Sequence, residues 1–197
     1  MTTEDVANQA LNLLDEATID SLDDNNLAAR IVNLHIDQTR QAELQKYAWV
    51  FAIFKLEVDG SDTGSGVGTL NYVYEVPEDA LRVLPLTYDG EPTGVPISWR
   101  QEAGLIYSDQ ESPRIIRYIA NLTDPNDMDA LFIDVWVAAL AFKLAMPITH
   151  KQSTRQDASA AYREALSAAR RANAIERSGR LQSDSWAQAR GDWRSQR

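Results

Sequence analysis

The chain has 197 residues, 44% of them apolar and 24% charged, which is the balance of a globular protein long enough to bury a core without staples. It has no cysteine, so disulfides, thiolate nucleophiles and zinc–thiolate centres are excluded. The net charge of −10 is unevenly distributed: residues 1–150 carry nine Lys/Arg against twenty-four Asp/Glu, whereas residues 151–197 carry ten against five. The acidic body is therefore not a phosphate-gripping surface.

Residues 3–15 read as a short helix, with Thr2 or Thr3 as N-cap and Val6, Ala10, Leu13 and Leu14 on one side. The opening Met1-Thr-Thr-Glu-Asp5 is acidic and lacks the basic and apolar regions of a secretory leader. After a turn-forming cluster at residues 20–26, a long helix is expected from about Asn26 to about Phe54. Leu27, Ile31 and Leu34 set its stripe, and Tyr47, Trp49, Phe51 and Phe54 make its end strongly apolar. Residues 59–68 hold four glycines but no following Gly-Lys-Ser/Thr, so they predict a loop or hairpin tip rather than a phosphate loop.

From Leu70 to about Leu122 the pattern changes to short β-type runs punctuated by Pro and Gly. They fall at 72–76, 81–86, 97–100, 105–107 and 114–119, with a single turn at Pro77-Glu-Asp-Ala80. Asp124-Pro-Asn-Asp-Met-Asp129 resembles a calcium loop superficially, but Val135 stands where a bidentate Glu belongs. Helix capping is the better reading. The stretch from Met128 to Met146 approaches the length of a membrane span, yet contains Asp129, Asp134 and Lys143. It predicts a buried central helix ended by Pro147. A last helix, from about Ser153 to Arg177, carries Ala158, Ala161, Tyr162, Ala165, Ala169, Ala172 and Ile175 on one stripe.

The expected fold is α+β, mainly α: an antiparallel helix bundle with a small inserted β subdomain and an extended C-terminal tail. Its divisions are residues 1–56, 57–122, 123–177 and 178–197. No catalytic set is expected. His35 and His150 are separated by the middle of the chain, and the latter reads as a favourable cation at a helix end. Asp23-Asp24 and Glu78-Asp79 are adjacent on turns rather than opposed across a cleft. No metal or cofactor is expected.

The tail is the informative element. Trp186 and Trp193 stand in a segment without apolar periodicity, next to Arg190 and Arg194. These are the residue types that dominate binding hot spots, so the four predict a docking element.

Several stretches together resemble the head-to-tail adaptor family of tailed bacteriophages, of the tail tubular protein A type found in short-tailed phages. They are Ala10-Leu-Asn-Leu-Leu-Asp-Glu-Ala-Thr-Ile19, Ser21-Leu-Asp-Asp-Asn-Asn-Leu-Ala-Ala29 and Tyr47-Ala-Trp-Val-Phe-Ala52 near the start. Tyr74-Glu-Val-Pro-Glu-Asp-Ala-Leu-Arg-Val83, Tyr118-Ile-Ala-Asn-Leu-Thr-Asp-Pro125 and Asp184-Ser-Trp-Ala-Gln-Ala-Arg190 follow. Asp15 departs from the pattern, since many relatives have glycine before the acidic residue. The resemblance implies a virion protein without enzymatic activity. About twelve copies would form a ring at the head–tail junction, after assembly in the host cytoplasm. The tail would bind the portal protein and the β subdomain would meet the next tail component. Genomic DNA would pass through the lumen without sequence-specific contact, and no membrane would be involved. Two other readings remain: a head-completion or stopper protein of a long-tailed phage, and a helical binding module whose basic tail contacts nucleic acid.

Overall fold

The computed structural model describes residues 1–62 and 70–178. Within them the fold is α+β, with four α-helices and two small antiparallel sheets. α1 (Thr3–Asn12) opens in a capping box: the Thr2 hydroxyl accepts from the Asp5 amide at 3.2 Å, and the Asp5 carboxylate accepts from the Thr2 amide at 2.7 Å. It closes in a Schellman turn, the Glu16 amide donating to the Leu11 carbonyl at 3.1 Å and the Asp15 amide to that of Asn12 at 3.2 Å. The turn holds Asp15 at φ 58°, the left-handed region that favours glycine. Val6, Ala7, Ala10 and Leu11 form the buried side, and Leu14 follows them inward. Leu13, expected inside, is 50% exposed, because the helix ends before it and the Schellman turn redirects the chain.

α2 (Leu27–Lys46) is capped by the Asn26 side chain, which accepts from the Ala29 amide at 2.8 Å. Its expected stripe is corrected. Leu27 and Leu34 are 66% and 72% exposed, while Ala29, Val32, Ile36, Arg40, Glu43 and Leu44 are buried. The small residues admit a close approach to a neighbouring helix, and the buried polar ones find partners. The Arg40 guanidinium donates to the Asn121 side-chain oxygen at 2.8 Å and to the Leu122 carbonyl, clamping α2 to the end of a strand.

The helix also ends earlier than expected, at Lys46 rather than near Phe54. Tyr47 is extended, a 3-10 turn covers Val50–Ala52, and β1 (Ile53–Val58) follows. The aromatic run turns back over the core instead of extending the helix. The Trp49 indole donates to the Glu43 carbonyl at 3.0 Å and packs edge-on to Phe132 with ring centroids 5.3 Å apart.

β2 (Ser61–Asp62) pairs antiparallel with β3 (Tyr72–Glu75), and most of the glycine-rich stretch, residues 63–69, lies outside the described residues. β4 (Ala80–Val83), β5 (Trp99–Glu102), β6 (Leu105–Ser108) and β7 (Arg114–Ala120) match the expected runs to within a few residues. The expected turn before β4 is closed by the Ala80 amide donating to the Pro77 carbonyl at 2.9 Å. One sheet has the order β1-β7-β4 and the other β2-β3-β6-β5. The first is the joint of the molecule. Its Ile119 belongs to the helical core, whereas Ile116 packs with Tyr74, Val83, Leu86 and Ile106 in a second, smaller core. β1 straddles the expected boundary between residues 56 and 57.

α3 (Ala130–Thr149) starts at Asp129, whose carboxylate accepts from the Leu131 amide at 2.8 Å. Pro147 lies inside its last turn rather than ending it, and the helix closes at His150 with φ 54°. A proline that near the end removes few hydrogen bonds. α3 is long and apolar enough to cross a membrane, yet α1, α2 and α4 (Gln152–Ser178) wrap it. Its Trp136 is fully buried and donates to the Ile36 carbonyl at 3.2 Å. On α4, Ala158 and Ala169 are buried as expected, but Ile175 is 71% exposed, rotated by about 120° from Ala169.

A left-handed residue with a Cβ costs roughly 1–2 kcal/mol, less for Asp than for most. Asp15→Gly is therefore expected to raise stability by up to about 1 kcal/mol, read as a higher urea midpoint at unchanged slope. A lower midpoint would show that the Asp15 side chain makes a compensating contact.

Candidate functional site

Trp186, Arg190, Trp193 and Arg194 lie outside the described residues. The helix leading to them is described, and it carries a feature the charge count did not reveal. Arg163, Arg170 and Arg177 recur every seventh residue, with Arg155 eight before them, and all four are exposed. At 3.6 residues per turn the seven-residue spacing of Arg163, Arg170 and Arg177 makes one ridge running toward the C-terminus of α4, with Arg155 turned about 80° from Arg163. Arg170 sits 4.6 Å above the Tyr47 ring centroid and Arg155 5.3 Å above that of Phe142, contacts that hold the guanidinium stems against the body. Between Arg163, Arg170 and Arg171, a shallow basin of about 380 Å³ is floored by Leu166 and Ala174. Asp157 and Glu164 fall on a different side of the same helix, which they share with Arg171.

The first sheet holds a buried cation of its own. Arg117 on β7 is 8% exposed and its Nε has no acceptor. Burial lowers its pKa, the Glu91 carboxylate opposes that shift, and the Arg177 charge adds to it. The sheet region also exposes apolar side chains. Tyr88 and Val95, joined by a 2.9 Å bond between their backbones, are 63% and 73% exposed, and Phe54 and Leu56 on edge strand β1 are 43% and 44% exposed. Isolated exposed apolar groups are ordinary; here they come as two pairs on the sheet region.

The remaining candidates from the sequence have structural places. His35 lies half-buried on α2 and His150 is exposed at the end of α3. The Asp124 carboxylate caps its turn, accepting from the Asn126 amide at 2.8 Å; that backbone hydrogen bond, then the Asn126 side chain, holds its pKa below the usual carboxylate value. In the stretch from Tyr74 to Val83, the Tyr74 hydroxyl donates to the Gln110 carbonyl at 2.6 Å, and the Asp79 carboxylate accepts from the Tyr118 hydroxyl at 3.3 Å. The segment runs from the second sheet to the first, and each bond anchors it at its own end. Among the described residues no cluster of three His, Asp or Glu side chains has the arrangement of a metal site.

No family model matches the chain, and no curated protein matches it.

The helices that carry these surfaces are tied by one polar node. The buried Glu43 carboxylate accepts from the Lys46 ammonium at 2.5 Å and from the Tyr162 hydroxyl at 3.1 Å, and Lys46 also donates to the Tyr162 oxygen at 2.9 Å. Burial pulls the Lys46 pKa down, but the hydrogen bonds from Glu43 and Tyr162 and the Glu43 charge outweigh it, and the net shift is upward from 10.5. Burial is the largest cause raising the Tyr162 pKa above 10.0. Both shifts favour the protonated folded state. Their stabilisation is complete below pH 10 and is lost as pH rises through the raised values. Tyr162→Phe is expected to lose about 0.5–1.5 kcal/mol at pH 7 and to flatten the decline in stability above pH 10. Urea titrations at pH 7, 9, 10 and 11 check this; an unchanged alkaline slope would contradict it.

Proposed function

We propose that this chain is a virion structural protein, a head-to-tail adaptor. It forms a ring between the portal and the tail of a bacteriophage, and it works without cofactor or catalysis. In this reading the four helices form an antiparallel bundle, residues 57–122 form an inserted β subdomain, and residues 178–197 extend as the portal-binding tail. The observation that carries it is the separation of charge along the chain. An acidic body leads, through the arginine ridge of α4, into a segment holding Trp186, Arg190, Trp193 and Arg194.

The chemistry fits the task. DNA binds proteins through neutralised phosphates, so an acidic wall lets it pass without sticking. A docking segment needs large side chains to fill pockets and guanidinium forks to fix register, which Trp and Arg supply. Exposed apolar residues on the sheet region, Tyr88 and Val95 among them, support its assignment to the next tail component. The resemblance of short stretches to phage adaptors, spread from Ala10 to Arg190, supports the same reading.

Trp186→Ala is expected to reduce retention of the protein on portal-bearing heads by about tenfold or more, the consequence of removing one hot-spot side chain, while the far-ultraviolet helix signal stays unchanged. Retention equal to that of the parent chain would remove Trp186 from the interface. Tight, steeply salt-dependent binding of DNA by the purified protein would instead favour the nucleic-acid module.

A further inference from the structure

The surface is indented where α1, α3 and α4 meet. There a groove of about 470 Å³ opens, with Val137, Ala138, Ala161 and Ala165 as its floor and the carboxylates of Asp134 and Glu164 beside them. Leu13, turned outward by the Schellman turn, lines it from α1. Small floor residues leave room for larger side chains than the groove contains, and the two acids specify a basic neighbour.

The chain carries a matching surface elsewhere. Leu27 and Leu34 are 66% and 72% exposed on α2, and Arg30 is exposed between them. Leucines seven residues apart stand two turns, about 10.5 Å, apart on one side of a helix. At 100° per residue they point directly away from the buried Ala29, Val32 and Ile36. On α3, the strip Asp134, Val137 and Ala138 is rotated by roughly 150° from Trp136, which receives α2 through its bond to the Ile36 carbonyl. Groove and leucines therefore face opposite ways across the body. Two complementary surfaces on opposite sides of one chain make a head-to-tail contact, the kind that closes into a ring when the rotation allows.

We propose that the occupant of the α1–α3–α4 groove is a second copy of this chain, which inserts Leu27 and Leu34 of its α2 against the alanine floor and sets Arg30 between Asp134 and Glu164. The assignment rests on the ring reading above and names the surface through which the ring is built. It uses residues remote from the docking segment, so subunit contact and portal contact are separable.

The absence of native cysteine makes the test clean. In a chain carrying Leu34→Cys and Ala161→Cys, mild oxidation is expected to give a ladder of disulfide-linked oligomers. A chain carrying Leu34→Cys and Arg163→Cys, with the second thiol on the arginine ridge, is expected to give at least tenfold less. Leu27→Glu added to the first pair should suppress the ladder at least tenfold with the circular dichroism spectrum unchanged. Arg30→Glu should lower association about tenfold, and Glu164→Arg should restore it. Oligomers seen by native mass spectrometry without the Leu34–Ala161 link would overturn this interface and leave the ring standing. No oligomers, alone or on portal-bearing heads, would overturn both. If a lone monomer shields the Ala161→Cys thiol from a thiol reagent and truncation after Ser178 unmasks it, the groove belongs to the chain's own C-terminal segment, which also overturns the proposal.

Discussion

The fold depends on hiding α3. A twenty-residue helix that is apolar on nearly every side has no solvated face to spare, so the rest of the chain is arranged as its cover. α1 and α2, which precede the sheets in the chain, pack on it, α4 returns along it after a tight connection at His150 and Lys151, and its start is closed by Trp49 edge-on and Phe51 tilted against Phe132. The buried Trp136–Ile36 hydrogen bond satisfies the one polar group that this core helix brings inside from its indole. The first sheet follows from the same demand, because it supplies Ile119 to the helical core and uses its other side to seed a second one.

That hierarchy explains what could be read from the sequence. α3 and α4 were legible because their signals are extreme: one is apolar throughout, and the other repeats alanine at helical spacing. Most strands were legible because Pro and Gly punctuate them. The stretch from Tyr47 to Phe54 was not, because an aromatic run without period fits a helix end, a turn or a strand equally well. Tertiary packing decided it, with Trp49 reaching back to the Glu43 carbonyl. Within β1 the alternation of Phe54, Leu56 and Val58 with Lys55 and Glu57 was a strand signal that the preceding helix pattern overrode. The stripe of α2 is not legible from its leucines, because Leu27 and Leu34 lie outside. The buried side instead uses small residues together with Arg40 and Glu43, whose hydrogen-bond partners lie far along the chain.

The candidate site divides similarly. Net charge and the paired tryptophans pointed to the C-terminal stretch, whereas the arginine ridge at 163, 170 and 177 needed its helix to become a surface. The groove over Ala138, Ala161 and Ala165 was invisible, because alanines at helical spacing signal close packing whether or not a neighbour is present. On the proposed reading the exposed leucines and that groove are two halves of one requirement. A ring subunit must carry both sides of a contact that no single copy can satisfy.

The adaptor reading is tested most directly by electron microscopy of particles from a phage whose copy of this gene is truncated after Ser178. The truncation leaves all four helices and removes the proposed portal contact. Filled or leaking heads beside unattached tail parts are the predicted result. Normal infectious virions would contradict the account.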